Sequence, residues 1–260
     1  MDVLAVHKET GVAWNEVADR YSHGKRDEAE VIAFLQSGGN YLFEAERQIL
    51  GDLKPWCRSA IHLQCSGGLD ALSLLRQGAA EVVGVDISER LLASARRKAE
   101  ALGAPASWYG CDILQTPEVL NGTADLVYTG KGAICWMMDI AAWAAVVARL
   151  LKPGGRLFLY EGHPLNGVWD TEAGSYVLHP EDGNYFSDQI KEGLPIEGSA
   201  AVARHRYWTL GQVLNSVCGA GLKIERFQEY PEPFWNEFPN MPAETQHRLP
   251  HAYALLARKP

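Results

Sequence analysis

Cysteine is scarce in this 260-residue chain, and its five copies (Cys57, Cys65, Cys111, Cys135, Cys218) are scattered with no CxxC pair. That spacing argues against a zinc knuckle and a thioredoxin-like redox pair, and an odd, unpaired count fits a reducing, cytoplasmic setting. No apolar run reaches the roughly 18 residues of a membrane-spanning helix. Asp2, His7, Lys8 and Glu9 leave no apolar signal core at the N-terminus. Long basic runs are missing and the formal net charge is −8, which disfavours a nucleic-acid partner held through its phosphates. No compact Asp/Glu/His cluster suggests a metal, and no repeat or low-complexity tract interrupts the chain.

What is present is apolar and aromatic. Hydrophobic residues make up 47% of the chain and charged residues 22%, enough apolar character for one large folded domain. Eight Trp and ten Tyr are many for this length, and several fall in segments without periodicity, where a pocket becomes a sharper reading than core.

The stretch IHLQCSGGLDALSLLRQGAAEVVGVD, residues 61–86, reads as strand, small-residue turn, helix and a second strand ending in an acid. That is the first half of a nucleotide-binding βαβ unit. Asp86 lies about 18 residues past Gly68, close to the spacing at which a strand-end carboxylate grips ribose hydroxyls. A helical cap is expected over residues 1–55. Strands are expected at 60–64, 81–86, 106–109, 124–129 and 156–161, with helices at 70–77, 88–102 and after Asp139. Strands alternating with helices call for a parallel sheet covered on both faces. Residues 162–208 show no period and read as a substrate lid. A helix at 209–219 and strands at 222–228 and 252–258 close the chain. The core therefore spans 56–260, with the lid inserted after strand five.

HLQCSGG, VVGVDIS, GCDIL, ADLVYTG and LKPGGRLFLYEGHP, in this order, resemble class I S-adenosylmethionine (SAM)-dependent methyltransferases, of a small-molecule type with an HLQC-like first motif. The resemblance covers residues 60–160 well and 205–260 less fully. It implies a Rossmann-like, doubly wound seven-stranded α/β sheet whose last two strands form an antiparallel hairpin. It also implies methyl transfer from SAM, leaving S-adenosylhomocysteine, to an O, N or S nucleophile of a small organic molecule in specialised metabolism. An RNA methyltransferase and a non-catalytic SAM-binding protein are the alternatives. A nicotinamide oxidoreductase would keep the full GxGxxG that is broken here. The usual acid-x-Gly-x-Gly-x-Gly motif is altered: His62 stands at the acid position, Gln64 and Ser66 at the first two glycines, and only Gly68 matches.

The resemblance assigns Asp86 to the ribose and Ile87, Asp112 and Ile113 to the adenine slot. Gln64, Cys65, Ser66 and Gly68 fall to the methionine end. Tyr21 and Trp136 are candidates to face the sulfonium, and Thr129 closes the cofactor set. His163 and Glu161, at the carboxyl edge of strand five, are the candidate catalytic pair. Trp169 and Tyr185 in the lid, with Trp136, are expected to meet a small-molecule acceptor. His62 reads as a core histidine. No metal and no membrane are expected, and aromatic residues near the C-terminus fit a homodimer as readily as a pocket.

Overall fold

The computed structural model describes residues 2–24, 26–193 and 201–260. Four helices come first: α1 (Val3–Glu16), α2 (Ala18–Tyr21), α3 (Glu28–Gln36) and α4 (Glu44–Leu50). The alternating core follows as β1 (Ser59–Leu63), α5 (Leu69–Arg76), β2 (Glu81–Asp86), α6 (Glu89–Leu102), β3 (Ala106–Gly110), β4 (Ala124–Gly130), α7 (Ile140–Leu150) and β5 (Leu151–Gly162). A short hairpin, β6 (Lys191–Gly193) and β7 (Ala203–His205), precedes α8 (Leu210–Gly219), β8 (Lys223–Tyr230), α9 (Ala243–Gln246) and β9 (Ala252–Arg258).

The sheet has seven strands in the order β3-β2-β1-β4-β5-β9-β8. The first five run parallel, and β9 pairs antiparallel with both β5 and β8. The chain reverses direction across the sheet between β1 and β4, the switch point at which doubly wound sheets hold ligands beyond their carboxyl ends. Alternation along the strands feeds two cores. Ile61, Leu63, Val127, Leu157 and Leu159 pack under α7 and α8, whereas Ala60, Leu126, Tyr128, Phe158 and Tyr160 face α4 and α5. Apolar residues at every position of a strand are what burial on both faces demands.

Local signals set most boundaries. Ser88 caps α6, accepting from the Leu91 amide, and Asp139 caps α7, accepting from the Ala142 amide. Thr209 and Gln212 form a capping box at α8. The KPGG residues, expected as a turn before strand five, lie inside β5 as a bulge: Ala124 pairs with Leu151, and pairing resumes only at Leu126 with Arg156. The segment read as a lid contains a 3-10 turn at Pro164–Val168, a single bridge between Trp169 and Leu178, and the β6–β7 hairpin. Residues 194–200 of that expected lid lie outside the described residues. Among the described residues, no helix is long and apolar enough to cross a membrane.

Candidate functional site

The turn after β1 keeps the shape of a glycine loop with little glycine in it. Gln64, Ser66 and Gly68 take φ of 57°, 49° and 80°, so all three positions of the altered motif are left-handed. Two L-residues there cost about 1–2 kcal/mol each. Backbone pairing compensates: the Cys65 amide donates to the Val85 carbonyl, the Gly68 amide to the Cys65 carbonyl, and the Ser66 amide to Asp86 Oδ2 at 2.8 Å. Asp86 Oδ1 accepts from the Ser88 amide. Burial lifts the Asp86 carboxyl to about 6, against the pull of these donors. The two neighbouring glycines serve the protein itself. A Cβ at Gly67 would stand 2.4 Å from the Ser22 carbonyl oxygen, and one at Gly68 2.7 Å from the Trp108 ring. The N-terminal cap therefore rests on Gly67. The Cys65 side chain is buried.

The N-terminal helix completes the next part. His7 Nε2 accepts from the Met138 amide, so Nδ1 carries the proton and donates to Asp112 Oδ2 at 2.7 Å. Asp112 Oδ1 accepts from the Leu114 amide and starts the turn that buries Ile113. A groove of about 500 Å³ runs between α1 and this edge, lined by Ile87, Asp112 and Gln115 on one side and Lys8, Val12 and Asn15 on the other. Sequence reasoning missed His7, whose partner is 105 residues away.

Residues 131–136 form a wall with the turn after β1 on one side and the end of β5 on the other. Gln64 Nε2 donates to the Ala133 carbonyl at 2.6 Å, while Thr129 Oγ1 lies against Gln64 Oε1 and the Leu63 carbonyl. On the other side, Glu161 accepts from the amides of Gly132, Ala133 (2.8 Å), Ile134 (3.0 Å) and Gly162 (2.9 Å). Trp136 ends the wall edge-on to Trp14, which is edge-on to Tyr21, at centroid distances of 5.3 and 5.2 Å. Tyr21 and Trp136 thus meet through a third ring.

Beyond the wall lies a cavity of about 330 Å³. Ile134 and Cys135 line it from the wall, His163 and Asn166 from β5 and the turn after it, Tyr207 and Trp208 from the hairpin exit, and Phe234, Trp235 and Glu237 from the loop after β8. Burial, with the Glu161 charge adding to it, pushes the Glu237 carboxyl up to about 7 despite a hydrogen bond from Asn166. Among the described residues, no group of three or more His, Cys, Asp or Glu could hold a metal ion.

Residues 60–155 match the family described as the methyltransferase domain, and the seven-stranded sheet is that of its SAM-dependent members. Residues 60–155 thus have the sequence of a methyltransferase domain, set in the fold of the class I SAM-dependent enzymes. Over 99 residues it is 36% identical to a demethylmenaquinone methyltransferase of Thermus thermophilus, covering 38% of this chain and 44% of that protein, so it spans under half that relative's length. A SAM-dependent methyltransferase from Mesorhizobium loti superposes with a TM-score of 0.61 at 23% identity, over 83% of this chain and 96% of the other. A geranyl diphosphate C-methyltransferase from Streptomyces coelicolor, in complex with Mg2+, geranyl diphosphate and S-adenosyl-L-homocysteine, gives 0.62 at 16% identity over 98% and 97%. At these identities the two structures speak to fold.

The groups about this edge fit SAM. The Gln64–Ser66 turn lies beside Asp86, whose carboxylate takes the backbone amides of Ser66, Ile87 and Ser88, and the groove beside Ile87 and Asp112 has room for a flat base. The acceptor-side expectations fare differently. Both His163 nitrogens are engaged: Nδ1 accepts from the Leu165 amide, and Nε2 donates to Glu229 at 3.1 Å. Glu161 is filled by four backbone amides. Neither is a free base, because each is fixing the strand edge on which it sits. Gln64 points its amide at the wall instead of outward. Trp169 packs on Tyr176, Tyr185 accepts from the Leu210 amide, and Trp136 stands with Trp14, and none of the three lines the cavity beyond the wall. His62 is a buried core residue edge-on to Tyr128, its pKa lowered to about 4 by burial.

Proposed function

We propose that the chain transfers the SAM methyl group to a nucleophile of a small organic acceptor held in the cavity beyond the 131–136 wall. The observation that carries this reading is the shared wall. One hydrogen bond, Gln64 to Ala133, joins the cofactor turn to the segment whose other face lines the acceptor cavity. Direct displacement needs donor and acceptor within van der Waals reach and in line, and this link sets the turn that would hold the cofactor next to the cavity that would hold the acceptor. When bound, SAM supplies an electrophilic methyl with a neutral thioether as leaving group. Asp86 would hold the ribose, Ile87 with Asp112 the adenine, and the Gln64–Ser66 backbone the methionine end. The cavity volume suits a small molecule, and the net charge of −8 gives RNA little electrostatic hold.

Calorimetric titration with S-adenosylhomocysteine, beside NAD, tests the reading. Wild type should bind S-adenosylhomocysteine and ignore NAD. Asp86→Ala removes a charged acceptor worth about 1.5–3 kcal/mol, a loss of about 10- to 150-fold in affinity. Wild type that prefers NAD, or binds neither, sinks it.

A further inference from the structure

The ionisable groups lining the acceptor cavity are Glu161, Glu237, His163, Cys135, Tyr207 and Tyr253; no lysine or arginine is among the described lining residues. Most are already occupied or neutral. Glu161 accepts four backbone amides, and His163 is tied to Glu229 and the Leu165 amide. Burial pushes the Cys135 and Tyr253 protons well up, and Tyr207 to about 12. Arg206 stacks 4.0 Å over the Trp208 ring and is not part of the lining.

Glu237 differs from all of these. It is a carboxylate in a lining that also holds Tyr207, Trp208, Phe234 and Trp235, and no lysine or arginine is among the described lining residues. Its partner Asn166 is itself fixed, with Nδ2 donating to the His251 carbonyl at 3.0 Å and Oδ1 2.9 Å from His251 Nδ1. A half-buried carboxylate without a counter-charge is costly, and its carboxyl accordingly rises to about 7. Aromatic faces around a carboxylate are the surroundings that favour an organic cation. A diphosphate would meet two carboxylates here and no cation to hold it.

Resting on the methyl-transfer reading, we propose that the acceptor is a small arylalkyl amine, bound as its ammonium between Glu237 and the surrounding rings, and that Glu237 accepts the ammonium proton. An N–H bond of the ammonium breaks and its proton passes to a Glu237 carboxylate oxygen, which leaves the lone pair on nitrogen. That pair forms the N–C bond as the methyl's C–S bond breaks, its electrons staying on sulfur, to give the methylated ammonium and S-adenosylhomocysteine. Glu237 then returns its proton to water. Asn166 acts through Glu237 as a positioning residue.

The test uses phenethylamine and tryptamine as probes, against phenylacetate and indole-3-acetate, by calorimetry on the full chain saturated with S-adenosylhomocysteine. The amines should bind and the acids should not. At pH 7 the bound ammonium should ionise Glu237, so amine binding should release a proton and its enthalpy should depend on the buffer. Glu237→Gln should weaken amine binding at least tenfold and abolish that release, with S-adenosylhomocysteine affinity unchanged. Acids that bind as well as amines, a variant that binds amines like wild type, or no amine binding at all overturns the proposal. Wild type that fails to bind S-adenosylhomocysteine refutes the methyl-transfer reading instead. The wild-type selectivity and proton release decide the matter even where the variant does not fold.

Discussion

Lys131→Met should be among the most damaging single changes in this chain. The lysine is 10% exposed, and its Nζ lies 2.7 Å from Asp70 and 3.1 Å from Glu46, which is fully buried. It also donates to the Tyr41 carbonyl. Tyr128 Oη and the Phe43 amide donate to the same Glu46 carboxylate. Burial alone would lower the lysine pKa, but Asp70 and Glu46 outweigh it and raise it. The pair thus fastens α4, through Glu46, to the end of β4 and the start of the wall. Removing the cation strands two carboxylates in a dry site, a loss of about 3–5 kcal/mol, or roughly 6–20 °C in melting temperature for a chain of this size. Burial already raises the Glu46 pKa with the lysine in place. In the variant it rises further above its unfolded value, so the folded state holds the proton more tightly. The deficit should therefore shrink toward pH 5.5 and grow toward pH 8. Urea unfolding of wild type and variant, followed by tryptophan fluorescence at both pH values, measures it. A deficit below about 1 kcal/mol at pH 8, or one equal at both pH values, refutes the reasoning.

Two further changes probe the N-terminal cap. Gly67→Ala places a Cβ against the Ser22 carbonyl, a backbone atom that cannot swing aside, so limited proteolysis should cut residues 17–24 faster than in wild type; an unchanged digestion pattern counts against the close contact. Lys98 is fully buried and donates to the same Ser22 carbonyl at 2.8 Å, with burial lowering its pKa to about 8. The unfolded chain binds that proton more tightly, so this group makes stability climb from pH 8 toward 10. The wild-type-minus-Lys98→Met difference in unfolding free energy should rise over that window, and a flat difference contradicts the assignment.

Much of the sheet could be read from the sequence because its strands answer to local constraints. β1, β2, β4 and β9 are short apolar runs ended by turn residues, and α6, α7 and α8 announce themselves through Ser88, Asp139 and Thr209. Asp86 and Asp112 stand where the same logic puts them, at the end of β2 and just after β3. The lining of the cavity beyond the wall has no such local signal. His163 and Glu161 occupy the strand edge that sequence reasoning chose, yet their roles depend on Glu229, 66 residues away, and on amides of the 132–134 segment. The loop after β8 supplies Phe234, Trp235 and Glu237 only because β9 inserts between β5 and β8, and no periodicity encodes that placement. Aromatic richness at Trp235 was a usable signal, but it pointed equally to Trp169 and Tyr185, whose rings pack within their own segment.

The left-handed turn has one more consequence. A glycine at position 64 would adopt φ 57° without strain but would carry no side chain. Gln64 gives up local comfort, about 1–2 kcal/mol, and its amide becomes a strut from the first strand of the sheet to the Ala133 carbonyl of the wall. A motif that in glycine form serves only to make room becomes here a mechanical link. The turn after β1 and the boundary of the cavity beyond are thus held in fixed register by one side chain.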